Sequence, residues 1–186
     1  MTVRGVRFKN QRMSDPATIK NALAASLKRI EAQPSIGQGT AVTKVTLNPG
    51  LVCEVEDGAW KFSAGMTEKY GGQNNGPNPG VYGRAALGTC LAIGYGMWAA
   101  RLEIPVRSLT VEVRARYDVR GEFGIDDSIR PGYLDIVYVV TVDTDAPDAD
   151  VSRWLDAADA HSSLLDDFRN PVPASREVRI VRNRTI

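Results

Sequence analysis

Pro79-Gly80-Val81-Tyr82-Gly83-Arg84-Ala85-Ala86-Leu87-Gly88-Thr89-Cys90-Leu91-Ala92-Ile93-Gly94-Tyr95-Gly96-Met97-Trp98-Ala99-Ala100-Arg101 is the stretch around which the rest of the chain is organised. From Ala85 to Ala100 it carries no charge, yet it falls short of the roughly 20 residues needed to span a bilayer. It reads as a helix from about Pro79 to Arg101, stopped by Ile104-Pro105. It is apolar nearly all round, the pattern of an element enclosed on every side rather than one resting on a sheet. Glycines at 80, 83, 88, 94 and 96 weaken it, each at up to about 1 kcal/mol relative to alanine in a helix interior. Their presence predicts the close approach of another backbone or of a partner chain.

Upstream, the loop Gly71 to Gly80 is too rich in Gly, Pro and Asn for regular structure. Before it the hydrophobic period is two. Val42, Val45 and Leu47 lead to the turn Asn48-Pro49-Gly50, and Leu51, Cys53 and Val55 alternate with Val52, Glu54 and Glu56. Asp57-Gly58 signals a hairpin whose return strand is Ala59 to Ser63. Further toward the N-terminus, Asp15-Pro16 opens an amphipathic helix with Ile19, Leu23, Leu27 and Ile30 on one face, ending near Gln33-Pro34. Met1 to Ser14 reads as basic and irregular.

On the other side, Arg107 to Tyr117 and Tyr133 to Val142 alternate as two long strands expected to pair antiparallel, joined by a loop carrying Asp126 and Asp127. Asp148 to Phe168 reads as one amphipathic helix closed by Asn170-Pro171, and Glu177 to Arg182 alternates as a last strand. The order is helix, three strands, helix, two strands, helix, strand. This is an α+β fold with mostly antiparallel sheet and a buried central helix. Residues 1–40 form an N-terminal extension and residues 41–186 the main domain.

The chain has 186 residues, 43% hydrophobic and 24% charged, which excludes disordered, collagenous and coiled-coil classes. Lys+Arg 23 against Asp+Glu 22 argues against nucleic acid or an anionic membrane as a partner held by bulk charge. The basic edge Arg176, Arg179, Arg182 and Arg184 is explained by alternation on an exposed strand. Two cysteines are too few for a disulfide framework, and the start lacks the apolar run of a signal peptide, so the expected location is the cytoplasm.

Candidate chemistry is sparse. His161 is the only histidine, with no suitably spaced thiolates or carboxylates, so no metal is expected. Asp126-Asp127 and the Asp143 to Asp150 run read as solvated loops rather than cation sites, and Cys53 reads as core beside Leu51 and Val55. Cys90 has two readings, a small inert hydrophobe or a reactive thiol. Its own helix cannot activate it. Arg84 lies roughly 120° round the helix, Arg101 about 16 Å along it, and the macrodipole fades within the first turn.

Glu56-Asp57-Gly58 as a hairpin, Gly71-Gly72, Pro77-Asn78-Pro79, Cys90 eleven residues later in Ala-Leu-Gly-Thr-Cys, and the helix ending in Asp166 to Val172 together form a recognisable layout. It resembles the OsmC/Ohr family of thiol-dependent hydroperoxide reductases, from roughly Ala41 to the C-terminus. The resemblance implies an intertwined homodimer with its central helices buried together. It puts Cys90 where the family's peroxide-attacking thiol sits and Ser162 where the resolving cysteine sits. The glutamate that follows Asn-Pro in active members is replaced at Gly80, with Val81 beside it, and the expected arginine falls near Pro49.

The resemblance therefore implies a one-cysteine cycle, in which an external thiol resolves the Cys90 sulfenic acid because serine forms no disulfide. Without its arginine the thiol should stay near the free value of about 8.5 and react slowly, unless another arginine, such as Arg4, Arg7 or Arg12, supplies the charge. The expected activity is weak reduction of organic hydroperoxides in a pocket shared by two chains, with no cofactor. The alternative is a non-enzymatic member that binds an apolar small molecule and uses Cys90 as packing.

Overall fold

The structure is a computed structural model and describes residues 15–182. The basic segment Met1 to Ser14, with Arg4, Arg7 and Arg12, lies outside the described residues, as does Arg184.

Helix α1 (Pro16–Ala32) starts with proline in its first turn and the Asp15 carbonyl accepting from Thr18 N at 2.9 Å. It rests on α2 (Pro79–Leu102) without burying any residue fully, and Lys20 pairs with Glu103 at the far end of α2. Strands β1 (Lys44–Asn48), β2 (Val52–Asp57) and β3 (Trp60–Gly65) form an antiparallel meander. Gly58, at φ +53, makes the β2–β3 turn with the left-handed backbone that its sequence signal predicts. Leu51 belongs to the β1–β2 turn at φ 54 and is exposed, so it does not share the inward row of Val55.

Asn78 caps α2, its Oδ1 accepting from Val81 N at 3.0 Å, and Pro79 follows at the first helical position. Strands β4 (Ser108–Arg116) and β5 (Asp135–Asp143) pair antiparallel over their full length, from Ser108 opposite Asp143 to Arg116 opposite Asp135. One turn of helix, α3 (Val119–Glu122), sits in their connection. The core forms where Leu87, Leu91, Tyr95 and Ala99 of α2 meet Trp154 and Ala158 of α4 (Asp148–Asp159) and Leu165 of α5 (Ser163–Arg169). The apolar face of β4 and β5 covers this cluster from the other side. Trp154 is fully buried, and its Nε1–H donates to the Tyr95 carbonyl at 2.8 Å. Burial of a side chain of that size is worth a few kcal/mol.

The central helix is covered by β4, α4, α5 and α1 of this chain but keeps one face open: Ile93 is 63% exposed, and Val81 and Met97 are also exposed. Gly88 faces β4, where a Cβ would lie 3.3 Å from Val113, whereas at Gly94 and Gly96, apart from the adjoining turns of the helix itself, no atom of the described residues comes within 4 Å of that position. Two expectations are corrected. The helix expected from Asp148 to Phe168 is two helices, because Ser162 caps α5 through its own hydroxyl and breaks the run. The last strand does not form among the described residues. Glu177 to Arg182 has no ladder partner there, and Val181 is 86% exposed, since alternation produces a strand only where a sheet edge and a buried face receive it. No described helix is long and apolar enough to cross a membrane.

Candidate functional site

The break between α4 and α5 brings Ser162 to Cys90. Cys90 is half-buried on α2, and its Sγ lies 3.5 Å from Ser162 Oγ and 3.8 Å from Ser163 Oγ. Ser162 is 8% exposed, and its Oγ accepts from Leu165 N as the cap of α5. The hydroxyl keeps its proton, which it can donate to the sulfur when the latter is a thiolate.

Two opposing effects set the thiol's acidity. Desolvation raises its pKa, whereas the Ser162 hydroxyl, the Leu164 backbone N–H, and the hydroxyl and N–H of Ser163 lower it and prevail. The Cys90 thiol therefore lies below its ordinary value. The donors stand at the start of a second helix, which the continuous-helix reading concealed. Ser162-Ser163 inside an amphipathic pattern is the signal that finds them, because serine in a helix interior favours caps and breaks.

The remaining candidates lie elsewhere. Arg84 turns to Tyr133, with Nη1 3.3 Å from the phenol oxygen, and Arg101 sits over the Trp98 ring at 4.7 Å. His161 packs its ring 4.9 Å from that of Trp98, with Nδ1 2.8 Å from Ala157 O. No charged side chain among the described residues hydrogen-bonds the Cys90 sulfur. Gly80 offers only its carbonyl, which accepts from Tyr133 Oη at 2.9 Å, and Pro49 lies in the turn after β1. Cys53 is half-buried in β2, opposite Leu47 and Ala64.

The carboxylate runs are explained locally. Asp126 accepts from Ser128 N and Oγ, Asp143 and Asp145 hold Arg107, and Asp150 pairs with Arg153. Among the described residues no three His, Cys, Asp or Glu side chains gather as a metal site.

Sequence reasoning also missed a polar cluster behind the cysteine. Tyr95 Oη and Tyr138 Oη each donate to one oxygen of Asp159 at 2.6 Å, and Arg169 Nη2 donates to Tyr138 Oη at 3.2 Å. Burial and the neighbouring carboxylate push both tyrosines above the usual phenol range. These residues are scattered from 95 to 169, and nothing local in the sequence joins them.

Two cavities lie beyond the cluster. One of about 480 Å³ is bounded by Leu87, Tyr138, Leu165 and Arg169. The other, about 490 Å³, is bounded by Arg84, Val113 and Phe123. Gly132 and Tyr133 line both. Cys90 lines neither.

The model of the family described as OsmC-like protein matches residues 72–176, more than half of the chain. No curated protein matches it. Among solved structures, the chain is similar to an OsmC-like protein from Mycoplasma pneumoniae (TM-score 0.62, 10% identity, covering 72% of this chain and 90% of that one). It is also similar to an organic hydroperoxide resistance protein OsmC from Legionella pneumophila (TM-score 0.53, 15% identity, 70% and 90% covered). A third is an organic hydroperoxide resistance protein from Elizabethkingia anophelis (TM-score 0.54, 14% identity, 72% and 91% covered). At these identities the structural likeness speaks for the fold; with the family model across the central helix, the strand pair and both later helices, the chain belongs to the OsmC-like family.

Proposed function

We propose that the chain is a weak, thiol-dependent reductase of organic hydroperoxides that works through Cys90 alone. The observation that supports this is the set of donors on the Cys90 sulfur, which favours the thiolate without a cation. The thiolate attacks one peroxide oxygen; an S–O bond forms, the O–O bond breaks, and the leaving alkoxide takes a proton to become the alcohol. Sulfur is oxidised to sulfenic acid and the peroxide is reduced. An external thiol then attacks the sulfenic sulfur and releases water, and a second thiol frees Cys90 as the external disulfide departs. Ser162 holds the place beside the sulfur from which a cysteine would resolve the intermediate, and serves as a donor instead.

The active form in this reading is a cytoplasmic homodimer. Support comes from the apolar α2 face carrying Ile93 and Met97, the open space at Gly94 and Gly96, and the exposed Val45, Leu47, Trp60 and Phe62 of the meander. A second reading, a non-enzymatic binder with Cys90 as packing, is favoured by one observation: both cavities leave the cysteine out.

The deciding experiment follows sulfenic acid formation at Cys90 with cumene hydroperoxide against pH, with Cys53→Ser as background and Cys90→Ser as blank. Oxidation at pH 7 on an apparent thiol pKa well below about 8.5 supports the enzyme. A reaction that rises only above that pH, or none, supports the binder.

A further inference from the structure

Arg130 and Arg169 both line the cavity of about 480 Å³, and neither forms an ion pair among the described residues. The Arg130 guanidinium lies along the backbone at Gly132, where a Cβ would stand 3.3 Å from Nη2. Glycine there leaves the guanidinium room to lie flat on the wall. Arg169 is fixed through Tyr138 Oη, behind which the Asp159 carboxylate has each oxygen taken by a tyrosine. Asp135, the one carboxylate in the lining, is neutralised by Arg116, whose Nε lies 2.8 Å from it. Two guanidiniums facing a single carboxylate that is already paired leave the cavity with an excess of positive charge. The rest of the wall, with Leu87, Tyr133, Ile136 and Phe168, is largely apolar or aromatic.

We propose that this cavity binds a small organic monoanion, an apolar or aromatic body bearing one carboxylate or sulfonate, with the charged group on Arg130 and Arg169. A guanidinium presents a planar fork of donors that matches the oxygens of such a group, and the volume falls in the range of small-molecule sites. The site is separate from the thiol chemistry: Cys90 sits one helical turn beyond Leu87 and lines no part of it.

The test uses the full chain and two fluorescent probes of similar body, 8-anilinonaphthalene-1-sulfonate and the uncharged N-phenyl-1-naphthylamine. The sulfonate should bind saturably, and Arg130→Gln with Arg169→Gln should weaken it about tenfold while the neutral probe changes less than about twofold. Arg130→Gln alone touches no folding contact and should weaken the sulfonate about threefold. Added NaCl should weaken the sulfonate only. Unchanged sulfonate affinity in both variants, an equal loss for the neutral probe, or no saturable binding to the wild-type chain would each overturn the proposal.

Discussion

Tyr95 Oη donates to Asp159 Oδ1 across 2.6 Å, tying the middle of α2 to the last turn of α4, three residues before the serine that faces Cys90. Tyr95 is 1% exposed, so Asp159→Ala leaves a buried hydroxyl without its partner and should cost about 1–3 kcal/mol in urea unfolding. Because the folded state raises the Tyr95 pKa above the unfolded value of about 10, its contribution is complete below pH 10 and declines above it. Unfolding free energy measured between pH 8 and 11 should therefore fall at the alkaline end, and Tyr95→Phe should flatten that fall.

Removing the nearest hydroxyl should make the thiol less acidic. In a Cys53→Ser background, Ser162→Ala should raise the apparent pKa of Cys90 alkylation by iodoacetamide and slow its oxidation at pH 7 several-fold. The linkage has the opposite sign to that of the tyrosine. A thiol whose folded value is lowered stabilises the fold above its unfolded pKa, and that contribution is lost as the pH drops through the folded value. An alkylation profile identical in wild type and variant would remove Ser162 from the site.

The same contact can be made covalent. Ser162→Cys places two sulfurs where Sγ and Oγ are now 3.5 Å apart, and a shift of roughly 1.5 Å reaches disulfide length. Treatment with hydroperoxide should then form an intrachain 90–162 disulfide, detected by mass spectrometry and by loss of two free thiols relative to the reduced variant.

At the interface proposed for a second copy, Ile93→Glu puts a charge on the exposed face of α2 without touching the cluster around Leu91 and Tyr95. The expected outcome is a shift from dimer to monomer in light scattering, with the monomer keeping its helical circular dichroism. A wild-type chain that is monomeric at high concentration would remove the shared-pocket reading.

Trp154→Ala should be the most damaging single change tested, costing about 3–5 kcal/mol, enough to unfold a marginal domain at 37 °C. Thermal denaturation checks it.

Much of this architecture is legible in the sequence where the signal is local and repeated. Asn78-Pro79 opens the central helix and Ile104 follows its end; Gly58 makes its hairpin; and the alternation of Leu109, Val111 and Val113 matches the half-buried row of β4. Pattern reading fails where tertiary context overrules it. Glu177 to Arg182 alternates as well as β4 does, but no edge among the described residues pairs with it. The continuous apolar stripe from Val151 to Phe168 hides a break, because α4 and α5 both face α2 and so both satisfy the helical period. Cys90 and Ser162 come together only through family likeness, and the Asp159 cluster not at all, since contacts between residues 21 to 72 positions apart leave no mark on a short window of sequence.

Had α4 run on unbroken into α5, the amides of Ser163 and Leu164 would be spent on carbonyls one turn earlier, and the side chain of Ser162 would be one more position on a smooth cylinder. A helix interior has no spare donors to lend. By stopping and restarting beside the thiol, the backbone frees two amides and two hydroxyls at the place where a negative sulfur would form. The acidity of Cys90 is thus written as an interruption, and any change that heals it, such as alanines across residues 160–163, should silence the thiol while leaving the cysteine in place.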